Sequence, residues 1–242
     1  AASDVYKRQL LETFKKLTQD KHFSEDDDDK IHVKPIPEQI LSYYRPHYSE
    51  MFREDGILYS TQREFEIGYS EHDNMWTIPI RDEIGNLVGV KGRWFDRDVP
   101  ENRLKYVYLE PCARNRILYG YWKTNKYIEE SDCVLVSEAE KGTLQLWSYG
   151  YRNCISTGGT KVGSKQIEML SRIGKRIILS FDKDFTEEKI HDLRDRFLDQ
   201  VPFFAIIDKE NILNEKESPS DNKEKFEYLL KNHVYNVKKG IK

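Results

Sequence analysis

Three carboxylates follow two predicted strands, at the point where each strand ends. One strand begins at Cys133 and leads into Glu138, and another begins at Arg176 and leads into Asp182 and Asp184. Alternation along an extended chain points both carboxylates of an Asp-x-Asp pair to one side. Like charges this close repel unless a cation is bound. Since no His or Cys stands beside them, these oxygens suit Mg²⁺ or Mn²⁺ and predict metal-assisted phosphoryl transfer.

A glycine-rich segment between these strands resembles a phosphate-binding loop but departs from its pattern. Residues 158–165 read GGTKVGSK. A P-loop requires Lys directly after the last Gly and a hydroxyl residue next. Here Ser164 precedes Lys165, so the sequence argues against nucleotide binding of the P-loop type. Gly158 and Gly159 instead predict a turn that lets the backbone approach another part of the site.

Glu138 and a basic region at residues 87–127 each have an ordinary structural interpretation as well as a functional one. A single carboxylate after a buried strand is tolerated where it faces solvent, so Glu138 alone indicates little. Residues 87–127 contain nine Lys/Arg against four Asp/Glu, which also fits a solvated basic face. Interleaved aromatic residues favour contact with a phosphate backbone and stacked bases. These aromatic residues are Trp94, Tyr106, Tyr108, Tyr119, Tyr121 and Trp122.

Strands and helices alternate along the second half of the chain. We predict strands at 133–136, 154–155, 176–181 and 203–207, and helices at 142–149, 164–172 and 186–197. This alternation is typical of right-handed βαβ crossovers in a parallel sheet, where ligands bind beyond the carboxyl ends of the strands. Upstream, a short helix at 37–44 and a strand, turn and strand at 76–90 predict a mixed α+β region.

The composition of the 242-residue chain excludes several classes of protein. Its net charge is −3, from 39 Lys and Arg against 42 Asp and Glu, so a nucleic-acid site must be a local patch. No apolar run approaches the roughly 20 residues that span a bilayer. The three cysteines are isolated, which argues against a disulfide scaffold and a structural zinc. Buried thiols fit a reducing compartment, and we expect a cytoplasmic protein.

The motifs themselves carry a family resemblance. VLVSEAEKGTLQLWSYGYRNCISTGG from Val134, followed by SFDKD from Ser180, resembles the TOPRIM domain of DnaG-type primases, topoisomerases and OLD-type nucleases. Upstream, FEIGYS, WTIPIRDEIGNLVGVKGRWF, KYVYLEP and RILYGYWK resemble, in order, the basic subdomain of a bacterial or phage DnaG-type primase. The resemblance covers roughly Ile36 to Leu230. It implies the RNA polymerase core of a primase from a phage or other mobile element.

The acidic run near the beginning of the chain and this resemblance together divide the chain into four parts. We expect residues 1–34 to be a flexible leader and acidic linker, with a short helix at Leu10–Leu17 and an acidic run at 25–30. Residues 35–128 would form the basic primase-type subdomain. Residues 129–212 would form the TOPRIM subdomain, a βαβ parallel sheet, and residues 213–242 a C-terminal helical segment. The expected fold class is therefore α/β, with a mixed α+β subdomain first.

The resemblance also implies roles for individual residues. Glu138 matches the signature TOPRIM glutamate, a general acid/base or metal ligand, and Asp182 and Asp184 match the metal-binding pair. Asp221, in a segment that resembles DPxD, is a further ligand candidate. Gly158 and Gly159 match a glycine turn near the metals. The basic positions that match those facing nucleoside triphosphates and the template are Arg81, Lys91, Arg93 and Lys105.

The implied activity is template-directed synthesis of short RNA primers from NTPs on single-stranded DNA. The expected cofactor is Mg²⁺ or Mn²⁺ with no zinc, and the expected partner is a replicative helicase within a primosome, with no membrane association. The chain departs from the family pattern at Gly142, where an Asp is usual, although Glu140 offers a nearby carboxylate. A zinc-binding domain is also not expected in this chain.

Two other functions stay open on the sequence. One is a TOPRIM nuclease or topoisomerase-like enzyme, and the other is a catalytically weak primase relative that binds nucleic acid. Under all three hypotheses, a third carboxylate beside Asp182 and Asp184 is electrostatically disfavoured without metal. We therefore expect the carboxyl of Glu138 to titrate at a raised pH.

Overall fold

The computed structural model of the chain describes residues 33–101 and 103–240. Within these residues, ten strands form two five-stranded sheets. The predicted helix at Leu10–Leu17 and the acidic run at 25–30 lie outside the described residues. No helix in the described ranges combines the length and the apolar character that crossing a bilayer demands.

The first sheet is antiparallel, with its strands in chain order. Its strands are β1 (Arg45–Pro46), β2 (Gly68–Ser70), β3 (Met75–Arg81), β4 (Leu87–Trp94) and β5 (Tyr106–Glu110). Three short helices accompany it: a 3-10 helix at Glu38–Tyr43, α1 (Glu50–Glu54) and α2 (Tyr59–Glu64). The predicted strand, turn and strand are β3 and β4, whose turn is closed by hydrogen bonds from the backbone of Ile84 and Asn86 to the Asp82 carboxylate.

The second sheet is mostly parallel, as the alternation of elements predicts. A 3-10 helix at Arg114–Arg116 and α3 (Tyr121–Glu129) lead into it. Its elements are β6 (Cys133–Ser137), α4 (Glu140–Tyr149), β7 (Cys154–Ser156), α5 (Ser164–Ile173), β8 (Arg176–Ser180), α6 (Glu187–Asp195), β9 (Phe203–Ile206), a 3-10 helix at Pro219–Asp221, α7 (Lys223–Asn232) and β10 (Val234–Asn236). The strand order is β10-β9-β8-β6-β7, and β6 to β9 are parallel.

The C-terminal part contains a strand in addition to the helical segment that the sequence predicts. Helix α7 is followed by β10, which pairs antiparallel with β9 through Val234 and Ile206. A three-residue strand is too short to show a periodic pattern, since its conformation depends on an edge supplied by distant residues. Helix α3 was also not predicted. It begins after Gly120, whose φ of +86° is a conformation that favours glycine.

Both faces of the second sheet are buried. On one face, Leu135 of β6 and Ile178 of β8 belong to a core that also contains Ile78 and Ile80 of β3. On the other face, Val136 and its neighbours pack among residues of α5 and α6. Burial on two sides explains the nearly continuous apolar runs of these strands. The shared core fixes the first sheet relative to the carboxyl ends of β6 and β8.

One buried amide ties the loop before α3 to the glycine turn after β7. Gln166 of α5 is fully buried, and its Nε2 lies 2.7 Å from the Ile117 carbonyl oxygen and 2.8 Å from that of Thr157. The carbonyl oxygen of Arg114 is 3.1 Å away. Its Oε1 accepts a hydrogen bond from the backbone N–H of Gly163. A single side chain thus satisfies backbone groups of three segments.

We expect Gln166→Ala to lower the free energy of unfolding by at least about 2 kcal/mol, because buried backbone groups lose their partner. Urea unfolding monitored by circular dichroism measures this change. Lys165→Ala is the matched control, since it removes only a surface ion pair with Glu168 and should change stability by less than about 1 kcal/mol. A loss below about 0.5 kcal/mol in Gln166→Ala would contradict the assigned role.

Candidate metal centre

The carboxyl ends of β6 and β8 bring three carboxylates together. These strands are neighbours, with Ser137 paired to Ser180 at their last residues. Glu138 follows the first strand, and Asp182 and Asp184 follow the second. One oxygen from each lies within 4.8 Å of the other two. The structure therefore places these sequence-predicted residues in a single cluster.

Glu138 is half-buried, and its environment disfavours the ionised form. Burial raises its pKa from 4.5 to about 7, with further contributions from the charges of Asp182 and Asp184. The expected direction of the shift is confirmed, although burial contributes more than the repulsion that motivated it. Its Oε2 is buried without a hydrogen-bond partner among the described residues. An unpaired buried carboxylate oxygen is costly unless another group or an ion approaches it.

Asp182 has a similar shift. Burial raises its pKa from 3.8 to about 6, and the charges of Asp221 and Asp184 act in the same direction. A hydrogen bond from the Ser218 hydroxyl offsets part of this shift. Asp184 is exposed, so one side of the cluster is open to solvent. A small ligand can therefore reach the cluster from the side of Asp184.

The donor set fits a divalent cation. It consists of carboxylate oxygens, the ligands that Mg²⁺ and Mn²⁺ prefer, and one of these oxygens lacks any other partner. Two of the three carboxyl groups have raised pKa values, as expected where like charges face one another. Glu138, Asp182 and Asp184 are thus able to hold a metal ion at this edge of the sheet.

The glycine turn lies directly beside Glu138. Gly158 and Gly159 have φ values of +76° and +149°, and the backbone N–H of Gly159 donates to the Glu138 carbonyl at 2.8 Å. Arg114 donates to the Gly158 carbonyl at 3.1 Å, and a Cβ on Gly159 would lie 2.9 Å from its guanidinium. The turn thus brings an exposed cation close to the cluster. Sequence analysis missed Arg114, because nothing in its spacing distinguishes it from the other basic residues of 87–127.

Asp221 lies near the cluster but is paired elsewhere. Its carboxylate accepts hydrogen bonds from Lys141 at 2.7 Å, from Gln145 at 3.2 Å and from the backbone N–H of Ser218 at 3.0 Å. Burial acts to raise its pKa, but these donors outweigh it and hold the pKa below the usual range. Asp221 therefore does not join the three-carboxylate group, and the side chain from its segment that contacts Asp182 is Ser218.

Packing explains the departure at Gly142. A Cβ there would lie 2.7 Å from the Ser137 Cβ and 3.2 Å from the Ser220 hydroxyl oxygen, so a carboxylate has no room. Glu140 does not replace it in the cluster. Its carboxylate is buried and forms an ion pair with Lys91 at 2.6 Å. Glu140 therefore joins α4 to β4 and does not add a fourth carboxylate to the cluster.

Three of the four basic residues assigned to triphosphate and template binding make other contacts. Arg81 forms ion pairs with Glu66 at 2.6 Å and Glu38 at 2.7 Å, and Lys91 is paired as described. Arg93 donates to the backbone carbonyl groups of Trp94 and Asp96. These side chains are buried, so a nucleotide would have to displace protein partners.

Lys105 is the exposed member of this set. Neighbouring protein atoms desolvate its ammonium group, and together with the charges of Arg93 and Lys141 they lower its pKa. Of the four, Lys105 is therefore the side chain that an anionic ligand can reach, and the neighbouring charges of Arg93 and Lys141 favour such a ligand.

Comparison with known proteins agrees with the fold. Residues 135–194 match the Toprim-like family model. The SPbeta prophage-derived uncharacterized protein YorJ of Bacillus subtilis is 28% identical over 85% of this chain and 62% of its own length. The DNA primase of Aquifex aeolicus is 31% identical over 44% of this chain and 22% of its own length. The chain spans less than two thirds of the length of these relatives.

Solved structures of DNA primases share the fold of this chain. The zinc-binding and RNA polymerase domains of the Aquifex aeolicus primase align with a TM-score of 0.67, at 19% identity over 87% of this chain and 62% of that one. A DnaG catalytic core aligns with a TM-score of 0.63, at 18% identity over 83% of this chain and 79% of that one. A DnaG primase catalytic domain bound to single-stranded DNA aligns with a TM-score of 0.62, at 17% identity over 82% of this chain and 79% of that one. The chain contains a Toprim-like domain beside an antiparallel sheet. Its fold is that of DnaG-type primase catalytic cores.

The raised pKa values predict how stability depends on pH. A carboxyl group whose pKa is higher in the folded state stabilises the fold at low pH, and this contribution is lost as the pH rises through the folded value. Without metal, we expect the free energy of unfolding to fall by roughly 1–3 kcal/mol between pH 5 and pH 8. Urea unfolding in EDTA across this range measures the change.

Glu138→Gln is the matched variant, because it removes a group that titrates near pH 7. We expect it to flatten the pH dependence and to be more stable than the original chain at pH 8 in EDTA. Addition of Mn²⁺ should stabilise the original chain more than the variant. Identical pH profiles for the two proteins would show that Glu138 does not titrate as assigned.

Proposed function

We propose that the chain is the catalytic core of a DNA primase, which synthesises short RNA primers from NTPs on single-stranded DNA during replication of a phage or mobile element. The observation that carries this proposal is the Glu138, Asp182 and Asp184 cluster at the strand ends of a DnaG-type fold. A prophage protein among the relatives and a single-strand-bound structural neighbour support the context and the template. A replicative helicase is the proposed partner.

The residues divide this work according to their positions. Asp182 and Asp184 would hold Mg²⁺ or Mn²⁺, while Glu138, whose pKa is raised to about 7 in the absence of metal, would hold the ion or act as a general acid or base. When bound, a divalent cation lowers the pKa of an attacking 3′-hydroxyl and stabilises the pyrophosphate leaving group. Arg114 beside the glycine turn and the exposed Lys105 are our candidates for triphosphate and template contacts.

A second candidate is a catalytically weak relative that binds nucleic acid. One observation favours it: among the described residues, the cluster has three carboxylates, since Asp221 is paired with Lys141 and Gly142 leaves no room for another. Fewer carboxylates hold a divalent cation more weakly. Template-dependent incorporation of labelled NTPs with Mg²⁺ and with Mn²⁺ separates the two candidates, and a parallel assay of DNA cleavage tests for a nuclease.

We expect Asp182→Asn and Asp184→Asn each to lower NTP incorporation by at least about 100-fold, because each removes a charge that holds the cation. Calorimetric titration with Mn²⁺ should show weaker binding in both variants. In metal-free buffer their melting temperatures should equal or exceed that of the original chain, since mutual repulsion is relieved. Loss of the folded state in both variants would identify the pair as structural and remove the basis of the proposal.

We expect Glu138→Gln to abolish primer synthesis while single-stranded DNA binding changes by no more than about twofold. The substitution alters the metal cluster, whereas DNA affinity comes from phosphate contacts of basic side chains. Fluorescence anisotropy with a labelled oligonucleotide at fixed salt measures the binding. Primer synthesis at the original rate in this variant would contradict the catalytic assignment and favour the binding-module candidate.

A further inference from the structure

The residue between the two aspartates points away from the cluster. The ammonium group of Lys183 lies 2.6 Å from the Leu213 carbonyl oxygen and 3.4 Å from a carboxylate oxygen of Asp208. The backbone N–H of Lys183 donates to the Glu217 carbonyl at 3.1 Å. Both its main chain and its side chain are therefore hydrogen-bonded to the 208–217 segment. This segment follows β9, which is the neighbour of β8 on the side opposite β6.

Asp208 makes this segment a rigid anchor. Its carboxylate is almost fully buried and accepts hydrogen bonds from the backbone N–H groups of Ile212 at 3.0 Å and Leu213 at 2.9 Å. Burial acts to raise its pKa, but these donors and the Lys183 ammonium outweigh it and hold the pKa below the usual range. Asp208 follows β9 just as Glu138 follows β6 and Asp182 follows β8. Its carboxylate oxygens, however, bind backbone N–H groups of the segment and the Lys183 ammonium.

The far end of the segment is fixed as well. The Glu217 carboxylate accepts hydrogen bonds from Lys225 of α7 at 2.8 and 2.9 Å and from the backbone N–H of Asn214 at 2.7 Å. The next residue, Ser218, bonds to the Asp182 carboxylate. The peptide that carries Asp182 and Asp184 is thus held against a segment that is itself hydrogen-bonded at both ends.

We propose that Lys183 is a positioning residue, which sets the spacing of the Asp182 and Asp184 carboxylates by anchoring the peptide between them to Asp208 and Leu213. This inference rests on the proposed function, because it treats the two aspartates as metal ligands. Asp182 to Phe185 form a turn, closed by a hydrogen bond from the Phe185 N–H to the Asp182 carbonyl at 2.9 Å. In this turn the Lys183 side chain reaches the 208–217 segment while both neighbouring carboxylates reach the cluster. Fixing the middle residue therefore fixes the direction of both flanking carboxylates. Groups that orient metal ligands in this way typically contribute tenfold or more to metal affinity.

The positive charge of Lys183 allows an experiment to distinguish a purely electrostatic effect on metal binding from a positioning effect. A lysine ammonium near a divalent cation repels it, so removal of the charge alone should strengthen metal binding. Loss of a positioning contact should weaken metal binding. The two roles therefore predict changes of opposite sign in the same measurement, and that measurement does not depend on primer synthesis.

The experiment is calorimetric titration of Mn²⁺ into the metal-free chain, together with the electron paramagnetic resonance spectrum of the bound ion. We expect Lys183→Met to bind Mn²⁺ at least about tenfold more weakly and to broaden the spectrum. Lys183→Arg, which keeps the charge and the donors, should stay within about threefold of the original chain. Melting in EDTA establishes that each variant is folded, and Lys183→Gln replaces the Met variant if that variant does not fold.

Lys141→Met is the matched charge control. The Lys141 ammonium is close enough to lower the pKa of Asp182, but its partners are Asp221 and Asp55 rather than the peptide that carries the two aspartates. Its loss should leave Mn²⁺ affinity unchanged or increase it. A folded Lys183→Met that binds Mn²⁺ as tightly as the original chain, or equal weakening in both Met variants, would overturn the inference. If the original chain binds Mn²⁺ but makes no primers, the proposed function fails while the role of Lys183 stands.

Discussion

Repulsion among three carboxylates at one edge of a buried sheet is the constraint on which the second half of the molecule depends. Glu138, Asp182 and Asp184 come within 4.8 Å because β6 and β8 are parallel neighbours that end in register. Burial is the largest cause of the raised pKa values of Glu138 and Asp182 and adds to the cost of their charges. The next cause is the charge of Asp182 for Glu138, and the charge of Asp221 for Asp182. The surrounding structure has to hold these groups together against that cost.

Other acids near this edge are each matched by a lysine. Glu140 pairs with Lys91, Asp208 with Lys183 and Asp221 with Lys141. Within the described residues, no ion pair involves the three members of the cluster, so the negative charge that is left over is concentrated there. The pairing therefore decides which carboxylates are free to take a cation. It also explains why Asp221, which follows the sequence pattern of a ligand, is not one of them.

Much of this arrangement could be predicted from the sequence, because it depends on local patterns. Strand and helix periods place Glu138 and Asp182 at strand ends, and parallel strands bring those ends to one edge. The lysine partners could not be predicted, since Lys91 and Glu140 are 49 residues apart and meet only after both sheets have packed. Nor could the strand Val234–Asn236 be predicted, because its conformation comes from pairing with β9 rather than from its own residues. Four basic residues looked alike in the sequence, and burial alone separates Lys105 from the other three.

The pair between Lys91 and Glu140 joins the antiparallel sheet directly to the helix that follows Glu138. Lys91 lies in the middle of β4, opposite Ile78 on β3 and Tyr108 on β5, and reaches the first turn of α4 two residues after Glu138. A shift of one residue in the register of β4 would turn this lysine to the opposite face. Glu140 would then be buried without a partner, at a cost of about 3–5 kcal/mol. The register of the first sheet and the position of the helix that follows Glu138 are therefore fixed by the same buried contact.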